Sequence, residues 1–191
     1  QGHPSAIAYL ARRLEVRDEI VPVTAVLTTG EQLYPDQREL IERRFQCKVF
    51  DAWGHGESAG MAAECNKHEG YHIAAEYGII EVIADDGDIG EIVATSLHNY
   101  AMPFIRYRIG DLGIPTDEKC ACGRSWPLIK SIQGRINDYL VLPSGRKFSW
   151  LYLIRVIRAS LYDKIFRESA FTISQYQIVQ DRKDRIILKI M

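Results

Sequence analysis

Apolar residues recur at helical spacing in the first stretch of the chain: Ile7, Leu10, Ala11 and Leu14 share a face, and Arg12 and Arg13 point away from it. Ser5 stands where a side-chain oxygen can cap that helix. Val21 to Thr28 is then a short apolar, β-branched run, the pattern of a buried strand. Thr29-Gly30-Glu31 reads as a turn. Pro35-Asp36 opens a second helix with Leu40, Ile41 and Phe45 along one face, and Lys48-Val49-Phe50 is the next strand. Strand, helix and strand with short connections make a βαβ unit, which predicts a parallel sheet. Ligands of such sheets gather beyond the carboxyl ends of the strands, here Thr29–Glu31 and Asp51–Glu57.

The pattern changes in the middle. Gly78–Ala84, Gly90–Thr95 and Phe104–Tyr107 are short strands separated by Gly and Asp turns, which predicts an antiparallel or barrel-like subdomain. Ile132-Gln133-Gly134-Arg135 reads as a junction. After it come a strand at Tyr139–Leu142, a turn at Pro143-Ser144-Gly145, a helix from about Ser149 to Tyr162, and strands at Thr172–Val179 and Arg185–Ile190. The expected fold class is α/β: a βαβ part of a parallel sheet, an antiparallel subdomain, then a small α+β domain. Residues 1–133 form the first domain and residues 134–191 the second.

Composition narrows the classes. A chain of 191 residues, 47% hydrophobic and 26% charged, buries a core without disulfides. A net charge of −1 lacks the basic excess of a non-specific nucleic-acid binder. No apolar run reaches the roughly 18–20 residues of a membrane helix, and Gln1-Gly2-His3-Pro4 does not resemble a signal peptide. With no initiator Met and an abrupt apolar end at Leu188-Lys189-Ile190-Met191, the chain reads as a segment of a longer one. Four cysteines, unevenly spaced, suit a reducing cytoplasm and a metal site better than a disulfide framework. Nothing in the sequence sets an oligomeric state.

Three constellations carry candidate chemistry. In Trp53-Gly54-His55-Gly56-Glu57 the glycines let backbone approach a ligand, the indole can stack on a base, and the carboxylate can hold Mg²⁺ beside phosphates; the plainer reading makes Trp53 core and Glu57 a helix cap. In Arg106-Tyr107-Arg108-Ile109-Gly110-Asp111, a strand ending in Gly-Asp presents a carboxylate at a turn, where it can accept both hydroxyls of a ribose, and Arg106 can face phosphate; the plainer reading is an edge strand with solvated arginines. In Gly134-Arg135-Ile136-Asn137-Asp138 the glycine can absorb backbone rotation as a hinge does, or be an ordinary loop residue.

The order of these segments resembles the adenylate-forming superfamily, in its phenylacetate–CoA ligase branch, which includes capsular polysaccharide biosynthesis ligases. Thr28-Thr29-Gly30-Glu31, Trp53–Glu57, Ile105–Asp111 and Gly134-Arg135-x-x-Asp138 each match a segment of the family's pattern, in order along the whole chain. The resemblance implies that Gly30, Glu31, Asp51, Trp53 and Gly54 line the adenine and acyl pocket. It implies that Glu57 is the catalytic carboxylate that ligates Mg²⁺, that Asp111 binds the ribose hydroxyls, that Arg135 touches ribose or phosphate, and that Asn137 is the hinge residue. Trp53 stands where the family has Tyr, and Gly56 where it has the Ser or Thr that contacts the α-phosphate. The family's phosphate loop and catalytic lysine match nothing here, so the expectation is a fragment, inactive by itself, of a ligase that joins a small carboxylic acid to the adenylate of ATP. Coenzyme A is the implied acceptor.

Cys65, His72, Cys120 and Cys122 are the ligand types of a Cys₃His structural zinc site. The resemblance favours His72, and His68 remains open because Cys65-x₂-His68 is also feasible spacing. Cys47 reads as a small apolar residue behind its helix. The basic C-terminal residues, Arg155 and Arg158 among them, read as a solvated face or as contacts for coenzyme A phosphates. The rival class is a zinc-stabilised, non-catalytic module that binds nucleic acid or protein; the charge balance counts against it.

Overall fold

The computed structural model describes residues 1–84, 88–136, 139–144, 147–149 and 176–190, in two compact units, Gln1–Gly134 and Arg135–Met191. In the first, helix α1 (Pro4–Val16) buries Pro4, Ala8, Ala11 and Leu14, one residue per turn on one face. The expected Ser5 cap is not made. His3 is the N-cap residue, Pro4 takes the start of the helix, and the backbone N–H of Ser5 donates to Glu31 at 3.1 Å instead. Helix α2 (Pro35–Phe45) begins where the sequence places it, with the Gln37 side chain accepting from the Tyr34 N–H at 3.1 Å. It buries Leu40, Ile41 and Phe45.

Strands β1 (Ala25–Thr29) and β2 (Lys48–Gly54) pair in parallel, Val26 beside Val49 and Thr28 beside Asp51. β1 starts later than its apolar run suggests. Pro22 interrupts the donors of that run, and the N–H groups of Val21 and Val23 go to the carbonyls of Arg44 and Phe45 at the end of α2. Both helices lie on one face of this pair, where Ala11, Leu14, Ile41, Phe45, Val26 and Val49 make one core.

The antiparallel strands continue the same sheet. β3 (Met61–Glu64), β4 (Tyr71–Ile73), β5 (Gly78–Ile83), β6 (Gly90–Ser96), β7 (Tyr107–Thr116) and β8 (Leu128–Arg135) join it in the order β1-β2-β3-β4-β8-β7-β6-β5. The result is one mixed, mostly stranded sheet with few helices, of the α/β class. A second core of Trp53, Ala62, Tyr71, Ile73, Ile92 and Ile129 lies in this part.

β7 departs from expectation. A strand over Phe104–Tyr107 ending at Gly-Asp is not formed; the strand begins at Tyr107 and runs through Gly110 and Asp111 to Thr116. Val93 pairs with Arg108 and Glu91 with Leu112, so Ile92 of β6 faces three residues of β7, Ile109, Gly110 and Asp111. Gly110 has φ +82°, a left-handed conformation that glycine adopts without penalty. The Gly-Asp pair is thus a bulge inside a strand, and it turns consecutive residues, Asp111, Leu112 and Gly113, inward.

In the second unit, β9 (Tyr139–Val141) pairs with β10 (Lys147–Ser149), and β11 (Tyr176–Arg182) with β12 (Arg185–Ile190), both antiparallel. The side chain of Gln180 donates to the Val141 carbonyl at 2.7 Å and accepts from its N–H at 2.8 Å. The helix expected from about Ser149 to Tyr162, with Arg155 and Arg158, lies outside the described residues, as does the start of the strand expected at Thr172. Among the described residues no helix is long and apolar enough to cross a membrane.

Candidate functional site

β2 runs out at Gly54, and the chain turns at once: the N–H of Ser58 donates to the His55 carbonyl at 3.1 Å, closing a turn with Gly56 and Glu57 at its centre. Two side-chain bonds tie this segment to β7. The indole N–H of Trp53 donates to Asp111 Oδ2 at 2.9 Å, a buried contact between residues 58 apart in sequence. The hydroxyl of Tyr107 donates to Glu57 Oε1 at 3.3 Å. The strand end after β2 and the bulged strand β7, read separately as candidate nucleotide segments, are therefore brought together.

Trp53 is 9% exposed and packs in the second core. Its ring is covered, so its part in the site is to orient the Asp111 carboxylate rather than to offer an open stacking face. Asp111 is itself 9% exposed. Glu57 is more open. His55 Nδ1 lies 3.0 Å from its Oε2, and the hydrogen bond from His55, with its own backbone N–H next, holds its carboxyl below the ordinary carboxylate value. That keeps it ionised, as a cation ligand must be. An added Cβ on Gly56 would meet nothing within 4 Å.

The other candidates are placed less centrally. At Gly30, φ is +81°, and a Cβ there would lie 2.7 Å from the His3 ring. Glu31 bonds the start of α1. Asp51 faces inward from β2, accepting from the Thr28 hydroxyl at 2.5 Å and the Tyr71 hydroxyl at 2.8 Å. Burial raises its carboxyl above the ordinary value, and the two hydroxyls pull it back only in part. Its N–H donates to Glu64, whose two oxygens both accept from Arg38 Nη2 at 2.7 Å. This network of Thr28, Arg38, Glu64 and Tyr71 was not legible in the sequence, because each residue alone reads as a solvated or strand residue. Arg106 pairs with Glu81 at 3.0 Å and is largely exposed. Arg135 is exposed at the end of β8. Asn137 lies outside the described residues.

Cys65, His72, Cys120 and Cys122 converge. Their ligand atoms all lie within 4.8 Å of one another, with Cys65 Sγ 3.5 Å from Cys120 Sγ and His72 Nε2 3.4 Å from Cys122 Sγ. A tetrahedral ion with Zn–S bonds of about 2.3 Å sets edges of roughly 3.8 Å, so the donor set fits zinc in type, number and spacing. The N–H groups of Lys67 and Cys122 point at Cys65 Sγ and Cys120 Sγ at 3.4 and 3.5 Å. His68 turns away from this cluster to Glu64 Oε2, 3.2 Å away. The cluster joins the start of the β3–β4 turn, strand β4 and the loop before β8.

No family model matches the chain. It is 32% identical over 115 residues to a phenylacetate-coenzyme A ligase of Thermus thermophilus, covering 55% of this chain and 26% of that protein. To Protein CapK of Staphylococcus aureus it is 28% identical over 143 residues, covering 73% of this chain and 31% of CapK. The structure of 2-hydroxyisobutyryl-CoA ligase in the postadenylation state, in complex with R3-HIB-AMP, aligns with 99% of this chain and 42% of its own at TM-score 0.71 and 23% identity, which shows a shared fold. The chain thus spans about a quarter to a third of the length of these curated relatives.

Proposed function

We propose that this chain, a homologue of the phenylacetate-coenzyme A ligases and of CapK with the fold of adenylate-forming ligases, is the part of an ATP-dependent acid–thiol ligase that holds the ribose and the phosphate-bound cation. The observation that carries the reading is the pair of bonds from Trp53 to Asp111 and from Tyr107 to Glu57. They bring two carboxylates from distant segments to one strand end, the place where ligands of such sheets bind.

In this reading Asp111, oriented by the Trp53 N–H, accepts hydrogen bonds from the ribose hydroxyls of ATP and of the acyl-adenylate. Gly54 and Gly56 let the backbone approach the nucleotide, and Gly30, Glu31 and Asp51 shape the neighbouring strand ends. Glu57 would hold Mg²⁺, which when bound supplies positive charge against the phosphate oxygens. Fixed groups aimed at developing charge are the main catalytic term in such chemistry. Arg135 contacts ribose or phosphate, and the junction at Gly134–Asp138, with Asn137 as its hinge, lets residues 134–191 reorient between acid activation and transfer to coenzyme A. The Cys65, His72, Cys120 and Cys122 cluster holds a structural zinc. Cysteines without disulfides and a reaction on ATP and coenzyme A support a cytoplasmic location.

The test is acid-dependent ATP–pyrophosphate exchange by the full-length protein, over a panel of aryl, aliphatic and hydroxy acids. Exchange with at least one acid is expected, and none from the 191-residue chain alone. Absence of exchange with every acid, or equal exchange by the isolated chain, contradicts the reading.

A further inference from the structure

The resemblance gives His55 no role: it occupies the unspecified position between Gly54 and Gly56. Its placement is nonetheless specific. The side chain is 4% exposed, although it stands on a turn beside a carboxylate, Glu57, whose side chain is 38% exposed. Its ring packs 5.6 Å from the Trp53 ring. Nδ1 lies 3.0 Å from Glu57 Oε2, and Nε2 is buried with no hydrogen-bond partner.

An ionised carboxylate has no proton to give, so the hydrogen of this bond is on Nδ1. Burying an unpaired Nε2 costs stability that an apolar side chain of the same size would not cost. Packing alone therefore does not account for a histidine here. What the ring does is span Gly56, the one residue of the turn with no side chain to restrict it. Glu57 would otherwise swing freely on a glycine-flanked turn. With His55 on Oε2 and the Tyr107 hydroxyl on Oε1, one donor fixes each oxygen and so fixes the carboxylate plane. Each carboxylate oxygen has two lone-pair sites, so one on each stays available to a cation.

We propose that His55 is a positioning residue that locks the Glu57 carboxylate in the orientation that receives a nucleotide-bound divalent cation, with Tyr107 as the second donor. This rests on the reading of Glu57 as the Mg²⁺ carboxylate.

The test is calorimetric binding of ATP to the full-length protein, once with Mg²⁺ and once with EDTA. The ratio of the two Kd values measures what the cation adds. His55→Leu fills the volume without a donor, and this ratio is expected to shrink by about ten-fold, the scale of one charge-assisted bond. The Kd in EDTA should stay unchanged. His55→Asn places an amide N–H near the Nδ1 position and should restore most of the ratio. Tyr107→Phe, which removes the second donor at nearly constant volume, should shrink it by a smaller factor and serves if the leucine variant does not fold. A wild-type ratio in both His55→Leu and Tyr107→Phe overturns the proposal, as does an equal loss of affinity with and without Mg²⁺, which marks packing alone. Glu57→Gln separates the two readings. If it leaves the ratio unchanged, the assignment of Glu57 itself fails and this inference with it. If it abolishes the ratio while the His55 variants do not move it, only the positioning role fails.

Discussion

Asp51 and Asp111 are both buried aspartates on strands of the sheet, and they differ in their partners. Asp111 is turned to Trp53 by a bulge, whereas Asp51 accepts from Thr28 and Tyr71 within the sheet. Because burial holds the Asp51 carboxyl above its ordinary value of 3.8, the folded state binds its proton more tightly than the unfolded chain. Its contribution to stability is then greatest below 3.8 and declines as pH rises through the higher folded value. Urea unfolding of wild type and Asp51→Asn across this range should show the wild type's relative stability falling with rising pH; a relative gain would contradict the assignment. Gly56 offers a second test at this scale. A side chain there meets nothing within 4 Å, and its backbone is not left-handed. Gly56→Ser should leave the melting temperature unchanged or slightly raised and tighten MgATP binding by a factor of about 3–10, the value of one added hydrogen bond. A lower affinity would argue against a phosphate beside Gly56. Both acidic ends of the site, Glu57 and Asp111, were legible as residues. Their bonds across the sheet, Glu57 to Tyr107 and Asp111 to Trp53, were not, since nothing in a sequence pairs positions 50 or 58 apart.

At the scale of elements, the helices and the parallel pair follow the apolar periodicity closely, because α1 and α2 bury one face each against Val26 and Val49. The bulge in β7 does not. Gly-Asp is a turn signal by local chemistry, and only the register against β6 turns it into an irregularity inside a strand. The cysteine cluster was legible as ligand types, while the choice between His68 and His72 needed the β3–β4 pairing, which sets Ala63 opposite His72 and leaves His68 in the connecting turn. Zinc held there would staple the turn after β3, strand β4 and the loop before β8, beside a small apolar cluster with Leu128. Elemental analysis should find about one equivalent, lost in Cys120→Ser and His72→Ala and kept in His68→Ala. Chelation should destabilise the fold by several kcal/mol, as loss of a structural metal does. An unchanged melting temperature after complete metal removal would contradict the staple.

For the molecule as a whole, the match to CapK spans about a third of CapK's length. The sheet, two carboxylates and a metal-type cluster are present in this chain. Its near-neutral charge agrees with a small-molecule ligand better than with a polyanion. The most direct test of the nucleotide site is calorimetric titration of the full-length protein with MgATP, comparing wild type, Asp111→Ala and Glu81→Gln. The last removes the exposed partner of Arg106 and serves as a control. The account predicts saturable one-to-one binding, weakened by about ten-fold or more in Asp111→Ala, the scale of lost hydrogen bonds to a charged group, and unchanged in Glu81→Gln. Equal affinity in wild type and Asp111→Ala, or no MgATP binding by the wild type, would contradict it.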